Sequence, residues 1–409
     1  MSNKPLSVQE KINKLVSLYE KDLLKEALIE AKSLSKQYPN VSLIYNIYGI
    51  INHALGDWDK SVDCFSKAIK LKPAYAEAHH NLGIALDNLG QLEEAIFSYT
   101  KAIEFKPDFA TAHESLIRIL TFYNPKKTNL NPCVVANKLL QTINYSYGSN
   151  TQISDDDVVT FFQRCNNVIF ENINYVNSDE TEIFRSNTVD LKCERHFKVF
   201  NAFNAIPEYC FGCYKVQVGL RNVMELFKLY FVFDKLNLKN NNPRKCMLEM
   251  RPEVSGDYKG YIYCFSLSEA NEIQNQLTSI LNKKINKNIS IVVKRGCTEF
   301  AIAYPQYKKI NQNGPQLMKY DEKWRSKETS IDDKFTKKNR SKQRVLQKSL
   351  SGTTVSDILI MRNWLGYAKK IGDLSYKKII KEIIISPFIE RKLSDYLSKR
   401  KKELSPSPD

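Results

Sequence analysis

Residues 76–109, AEAHHNLGIALDNLGQLEEAIFSYTKAIEFKPDF, decide the architecture of the first part of the chain. Leu82, Gly83, Leu92, Ala95, Tyr99 and Ala102 recur at helical spacing on either side of Gly90. That is the pattern of two helices joined by a turn that glycine permits. Pro107 stops the second helix, because proline has no amide hydrogen with which to continue it. The preceding stretch, 42–75, repeats the design in register, with Tyr45, Tyr48, Gly49, Trp58, Ser61, Phe65 and Ala68 at the positions of His79, Leu82, Gly83, Leu92, Ala95, Tyr99 and Ala102. Pro39, Pro73 and Pro107 follow one another at intervals of 34 residues.

Working outward, a unit at 8–41 is degenerate, with Leu15 where glycine is expected but Ala27, Leu34 and Pro39 in place; terminal repeats are commonly atypical. A fourth unit begins at Ala110 with Leu116, Ile117 and Leu120 and breaks at Asn124-Pro125. A helix expected at 132–143, capped by Asn131, either completes that hairpin or closes the stack. The array is similar to the tetratricopeptide repeat, which implies an all-α solenoid over about 8–124, or 8–145 with the closing helix. The resemblance further implies that the first helices line a concave groove for a protein or peptide, with Leu43, Asn46, Ile50 and His53, then Glu77, His80, Ile84, Asp87 and Asn88, then Glu114 and Arg118 facing it. Ile50 and Ile84 stand where family members that clamp acidic C-terminal tails carry asparagine, so such a tail is not the expected ligand. Four of the five histidines, His53, His79, His80 and His113, lie in the array and are expected to pack between helices rather than bind metal.

Charge divides the chain. Residues 1–124 hold 14 Lys and Arg against 15 Asp and Glu, whereas 306–409 hold 25 against 12. The excess of +16 therefore lies downstream of the repeats, either as solvating lysines or as a footing for a polyanion. The first twenty residues carry no apolar core of a signal, and 223–236, the most apolar later stretch, is interrupted by Glu225, Lys228, Asp234 and Lys235. With nine scattered cysteines, the expectation is a cytoplasmic protein with free thiols and no membrane span.

Downstream, 154–305 reads as an α+β module. Ser154 and three aspartates open a helix to 173, and a shorter helix follows at 195–205. Strands at 213–218, 246–251, 259–265 and 289–294 alternate with helices at 222–236 and 268–281. This βαββαβ order is that of the ferredoxin-like arrangement, with 252–257 turning the central hairpin. Two local patterns carry chemistry. Cys193-x-x-His196 and Cys210-Phe-Gly-Cys213 have the spacing of two zinc knuckles, and the same residues are compatible with a redox pair or with buried thiols. Lys259-Gly-Tyr261-Ile-Tyr263 is similar to the aromatic strand of RNA-recognition motifs, although Ile262 replaces a small residue and one strand alone matches.

Residues 306–409 are expected to form a basic linker and helical tail. The run 334–348, KFTKKNRSKQRVLQK, contains seven basic residues and no acid, and its Lys334, Lys337, Lys338, Arg340, Lys342 and Arg344 would meet phosphates in a nucleic-acid reading. Helices are expected at 355–371, 375–384 and from 387 to about 402. Outside the repeats His196 is the single histidine, and no glycine-rich phosphate loop appears, so no catalytic family is assigned and no cofactor beyond zinc is considered. The leading expectation is a scaffold or adaptor. A nucleic-acid-associated protein and a transferase-like enzyme whose repeats recruit substrate are the alternatives, and the oligomeric state is left open.

Overall fold

The computed structural model describes residues 7–126, 131–143, 152–173, 175–186, 191, 193–251, 254–338, 349–382 and 387–404, with backbone alone at 333–338, 388 and 400–404. They form two compact units, one of residues 1–134 with 333–345 and one of 135–332 with 346–409. Among the described residues no helix is long and apolar enough to cross a membrane.

The first unit is a run of antiparallel helix hairpins: α1 (Val8–Glu20), α2 (Leu24–Gln37), α3 (Ser42–Ala54), α4 (Trp58–Leu71), α5 (Ala76–Asn88), α6 (Leu92–Phe105) and α7 (Ala110–Leu120). Local chemistry sets the ends. Ser7 and Glu10 form a capping box at the start of α1, and Asp57 accepts from the Lys60 amide at the start of α4. Gly56 and Gly90 take the left-handed conformation (φ 79° and 76°) that ends α3 and α5, where a side chain would be strained. Close helix approach explains Gly49 and Gly83: a Cβ there would fall 2.5 Å from the buried rings of Phe65 and Tyr99, respectively. The histidines repeat as well. His79 and His113 each place Nε2 2.9 Å from a proline carbonyl, of Pro73 and Pro107, which fastens a helix to the turn before it.

The second unit contains α8 (Pro132–Thr142) in part, α9 (Asp155–Ile173), β1 (Glu182–Arg185), α10 (Cys193–Phe203), β2 (Tyr214–Leu220), α11 (Val223–Lys235), β3 (Arg244–Leu248), β4 (Tyr258–Cys264), α12 (Leu267–Lys284) and β5 (Ser290–Arg295). The short helices α13 (Thr298–Ala303) and α14 (Pro305–Lys308) precede α15 (Arg325–Lys338), which belongs to this unit up to 332, then α16 (Val355–Ile371), α17 (Tyr376–Ile379) and α18 (Pro387–Leu404). The five strands form one antiparallel sheet in the order β1-β3-β4-β2-β5.

One sheet face carries Val216, Val218, Tyr258 and Ile262, all buried. Gly260 lies on this face too, with Leu229 and Phe233 of α11 so close that a Cβ would meet Leu229 at 2.4 Å. Nearly every residue of α11 is buried, because α9 and α16 cover its other side. Edge-to-face rings lock that layer: Phe162 to Phe227 at 5.5 Å and Phe227 to Trp364 at 5.7 Å. Each ring so buried is worth roughly 1.5–3 kcal/mol of transfer free energy.

Two features depart from the expected organisation. Strand β1 adds an edge beyond β3, in a segment with no strand expectation. The described residues of 306–332 and 349–404, expected as a separate basic tail from 306 onward, belong to the same compact unit as the sheet. The reason is burial: Ile358, Met361, Trp364 and Leu365 of α16 are fully enclosed. A buried charge cluster fastens the two features together. Arg185 of β1 donates to Asp234 (2.6 Å), Asp357 (2.9 Å) and the Tyr230 hydroxyl (2.8 Å), and all four are buried.

Candidate functional site

In the first unit α3 and α5 touch directly, and the side chains expected to line the groove are tied together across repeats. Asn81 Nδ2 donates to Asn46 Oδ1 at 3.1 Å, and Asn46 Nδ2 donates to the Tyr75 hydroxyl at 3.4 Å. Asn88 Nδ2 lies 2.8 Å from His53 Nε2, which accepts as a neutral imidazole. His80 Nε2 is 3.3 Å from Ser115 Oγ, while its ring packs 5.0 Å from that of Phe109. Arg118 forms an ion pair with the buried Asp87. Apart from Asn46–Tyr75, which lies within one unit, these links span 31 to 35 residues and fasten one repeat to the next.

Burial pulls both His53 and His80 below the usual imidazole range, which keeps them uncharged at neutral pH. The polar groups of the groove are therefore largely spent on one another. Ile50 and Ile84 remain half-buried, and Leu43 and Glu114 are exposed. The sequence register did not single out Asn81, Ser115 and Tyr75, which bond to residues expected in the groove and whose one signal is a polar side chain displaced by about one repeat.

In the second unit Cys193, His196, Cys210 and Cys213 line one cavity of about 10 Å³, room for about one water molecule, together with Cys297 and Lys215. Cys210 and Cys213 sit on a tight turn, where the Cys213 amide donates to the Cys210 carbonyl at 3.2 Å. His196 stacks on Tyr209 with ring centroids 5.2 Å apart. Cys297 arrives from the end of β5, and Lys215 Nζ donates to its Sγ at 3.4 Å. Burial pushes the Cys213 thiol up to about 11 and Cys210 further still. Among the described residues no group of three or more His, Cys, Asp or Glu side chains is arranged to hold a metal ion. Cys297 carries no sequence signal, since its neighbours in this cavity are remote in the chain.

Tyr261 and Tyr263 lie on the sheet face opposite α11, but they are 6% and 9% exposed. A stacking platform needs open rings; these carry the ammonium groups of Lys245 and Lys215 over them, at 6.0 and 5.3 Å. The Tyr261 hydroxyl is used internally, donating to Gln217 Oε1 at 3.1 Å. Of the basic run, Arg340, Lys342 and Arg344 lie outside the described residues, and Lys334, Lys337 and Lys338 are described by backbone alone.

Family models give the comparison that bears on the first unit. Residues 49–90 match the model described as TPR repeat, and 76–109 match that of the tetratricopeptide repeat. Solved structures similar to the chain include the first TPR of Spaghetti (RPAP3) bound to an HSP90 peptide, at 20% identity, covering 28% of this chain and 93% of that one with a TM-score of 0.27. MamA shares 21% identity over 41% of this chain and 82% of its own, with a TM-score of 0.28. The Yersinia enterocolitica type III secretion translocator chaperone SycD shares 16% identity over 29% of this chain and 96% of its own, with a TM-score of 0.27. No curated protein matches the chain. Helix hairpins at a 34-residue interval, rings seated on Gly49 and Gly83, and the matched residues all coincide, and the N-terminal helices of this chain are a tetratricopeptide-repeat array.

Proposed function

We propose that the chain is a scaffold or adaptor that holds a protein or peptide partner in the groove lined by α3, α5 and α7. The observation that carries this reading is the cross-repeat ladder Asn46–Asn81, His53–Asn88, His80–Ser115 and Asp87–Arg118. It fixes the groove before any partner arrives, so ordering costs little on binding. With its own polar groups engaged and its histidines neutral, the surface favours an apolar side chain against Ile50 and Ile84, flanked by groups that meet Glu114. An acidic tail does not fit it.

The second unit is read as a ferredoxin-like α+β module with an extra edge strand. What supports this is the order β3-β4-β2-β5 traced by the chain segments β2-α11-β3-β4-α12-β5. Peptides selected from a random display library on the full chain test the adaptor reading. They should bind the wild type and lose at least tenfold in affinity on Ile84→Arg, while the thermal unfolding of the variant stays close to wild type. Equal binding by Ile50→Arg/Ile84→Arg, or no selectable peptide, removes it.

A further inference from the structure

On the sheet face opposite α11 and α12, Gln217, Tyr261 and Tyr263 are buried while Val292 at the β5 edge is exposed. Register places Lys215 of β2, Lys245 and Met247 of β3, Tyr261 and Tyr263 of β4 and Lys294 of β5 on that face. These residues, with Ile389 and Leu393 of α18 among those on its other walls, enclose a cavity of about 490 Å³. That lies within the usual range of small-molecule sites.

Most charges in the cavity are already matched. Lys245 is held by Glu182 at 2.8 Å, and Arg251 is held by Glu249 at 2.8 Å and by Glu299 at 3.4 Å. Lys392 donates to the Asp179 carbonyl at 3.3 Å, and the side chains of Asp179 and Glu180 are exposed. Lys215 and Lys294 are the remainder. They are direct cross-strand partners in the β2–β5 ladder, so both side chains project from the same face. The hydrogen bond of Lys215 goes to a sulfur, and among the described residues Lys294 has no hydrogen-bond or ion-pair partner. Like charges directly opposite on antiparallel strands destabilise the sheet. Burial, with the positive charges of Lys259, Lys308 and Arg251, pulls the Lys294 ammonium below the usual lysine range. A Lys294 ammonium placed in this way costs the empty protein stability, and an anion between it and Lys215 would reverse the sign. Facing the same space, Glu299 Oε2 is buried and accepts no hydrogen bond.

We infer that this cavity binds a small organic anion, a carboxylate or a phosphate compound, whose oxyanion lies between Lys215 and Lys294. Tyr261, Tyr263 and Met247 floor the space for its body, and Glu299 Oε2 accepts from a donor on it. The site is separate from the repeat groove and does not depend on the adaptor reading.

The test is thermal unfolding of the full chain at constant ionic strength with phosphate, pyrophosphate, succinate or citrate, followed by calorimetric titration with whichever raises Tm most. Phosphates against carboxylates in that set distinguish the two sources of the oxyanion. Lys294→Met should melt higher than wild type without additive, because the repulsion is gone, and should lose the additive response. Lys215→Met and Lys294→Met should each weaken binding at least tenfold, while Lys283→Met, an exposed lysine of α12, should leave it unchanged. The inference fails if no additive raises the wild-type Tm beyond its effect on Lys294→Met. It fails equally if both cavity variants bind like wild type.

Discussion

Gly83→Ala tests the packing logic of the repeats at its tightest point. The new Cβ would lie 2.5, 2.7 and 3.0 Å from three atoms of the Tyr99 ring. Tyr99 is fully buried, so the ring has nowhere to retreat without moving α6. Overpacking of this kind costs about 1–3 kcal/mol, and three simultaneous contacts against one fixed ring put it at the upper end. Alanine returns about 1 kcal/mol as a better helix former than glycine. The net loss is about 2 kcal/mol, which accelerates local opening by roughly 30-fold. Hydrogen exchange of the α5 and α6 amides in the full chain reads that directly. Gly83→Ala/Tyr99→Leu should recover much of the protection, because the shorter side chain vacates the space. Unchanged exchange in Gly83→Ala would refute the claim that glycine is there for the ring.

Two further outcomes are expected. Arg185→Met should cost the second unit about 3–5 kcal/mol, because it strands buried carboxylates of Asp234 and Asp357; faster exchange in β1 and α16, partly restored by adding Asp357→Asn, is the readout, and no change in either segment would contradict it. For His53 and His80 the folded pKa lies below the unfolded value of 6.5. The folded state therefore binds fewer protons, and stability of the repeats should be full above pH 6.5 and fall as pH drops below it. The unfolding temperature of the repeats followed from pH 7 to 5 should decline less in His53→Gln/His80→Gln, and parallel declines would show that these histidines carry no share.

What was legible in the sequence was whatever repeats or alternates locally. Gly49 and Gly83, Phe65 and Tyr99, and the prolines 34 residues apart declare the hairpins because each unit restates the other. The alternation around Val216–Val218 and Tyr261–Tyr263 located strands to within about two residues. Strand β1 stayed hidden, since Glu182–Arg185 is too short for a period to register. The place of α16 was hidden for another reason. Its amphipathic pattern announced a helix, but nothing local told that α9 and α11 would cover it, and the lysines around it suggested a tail. Arg185, Asp234 and Asp357 look like solvent charges until the fold gathers them. The same holds for the cavities: Cys297 joining Cys193, Cys210 and Cys213, and Lys294 facing Lys215, depend on contacts that only the tertiary fold creates.

The Arg185 cluster also sets a timetable. Its carboxylate partners lie 49 and 172 residues further along the chain. At a ribosomal pace of about 5–20 residues per second, Asp357 is synthesised roughly ten to thirty seconds after Arg185. Until then the cluster lacks one of its two carboxylates, so β1 waits on a residue far downstream for its final contacts. The repeats, whose links reach no further than the neighbouring unit, can consolidate before the second unit does.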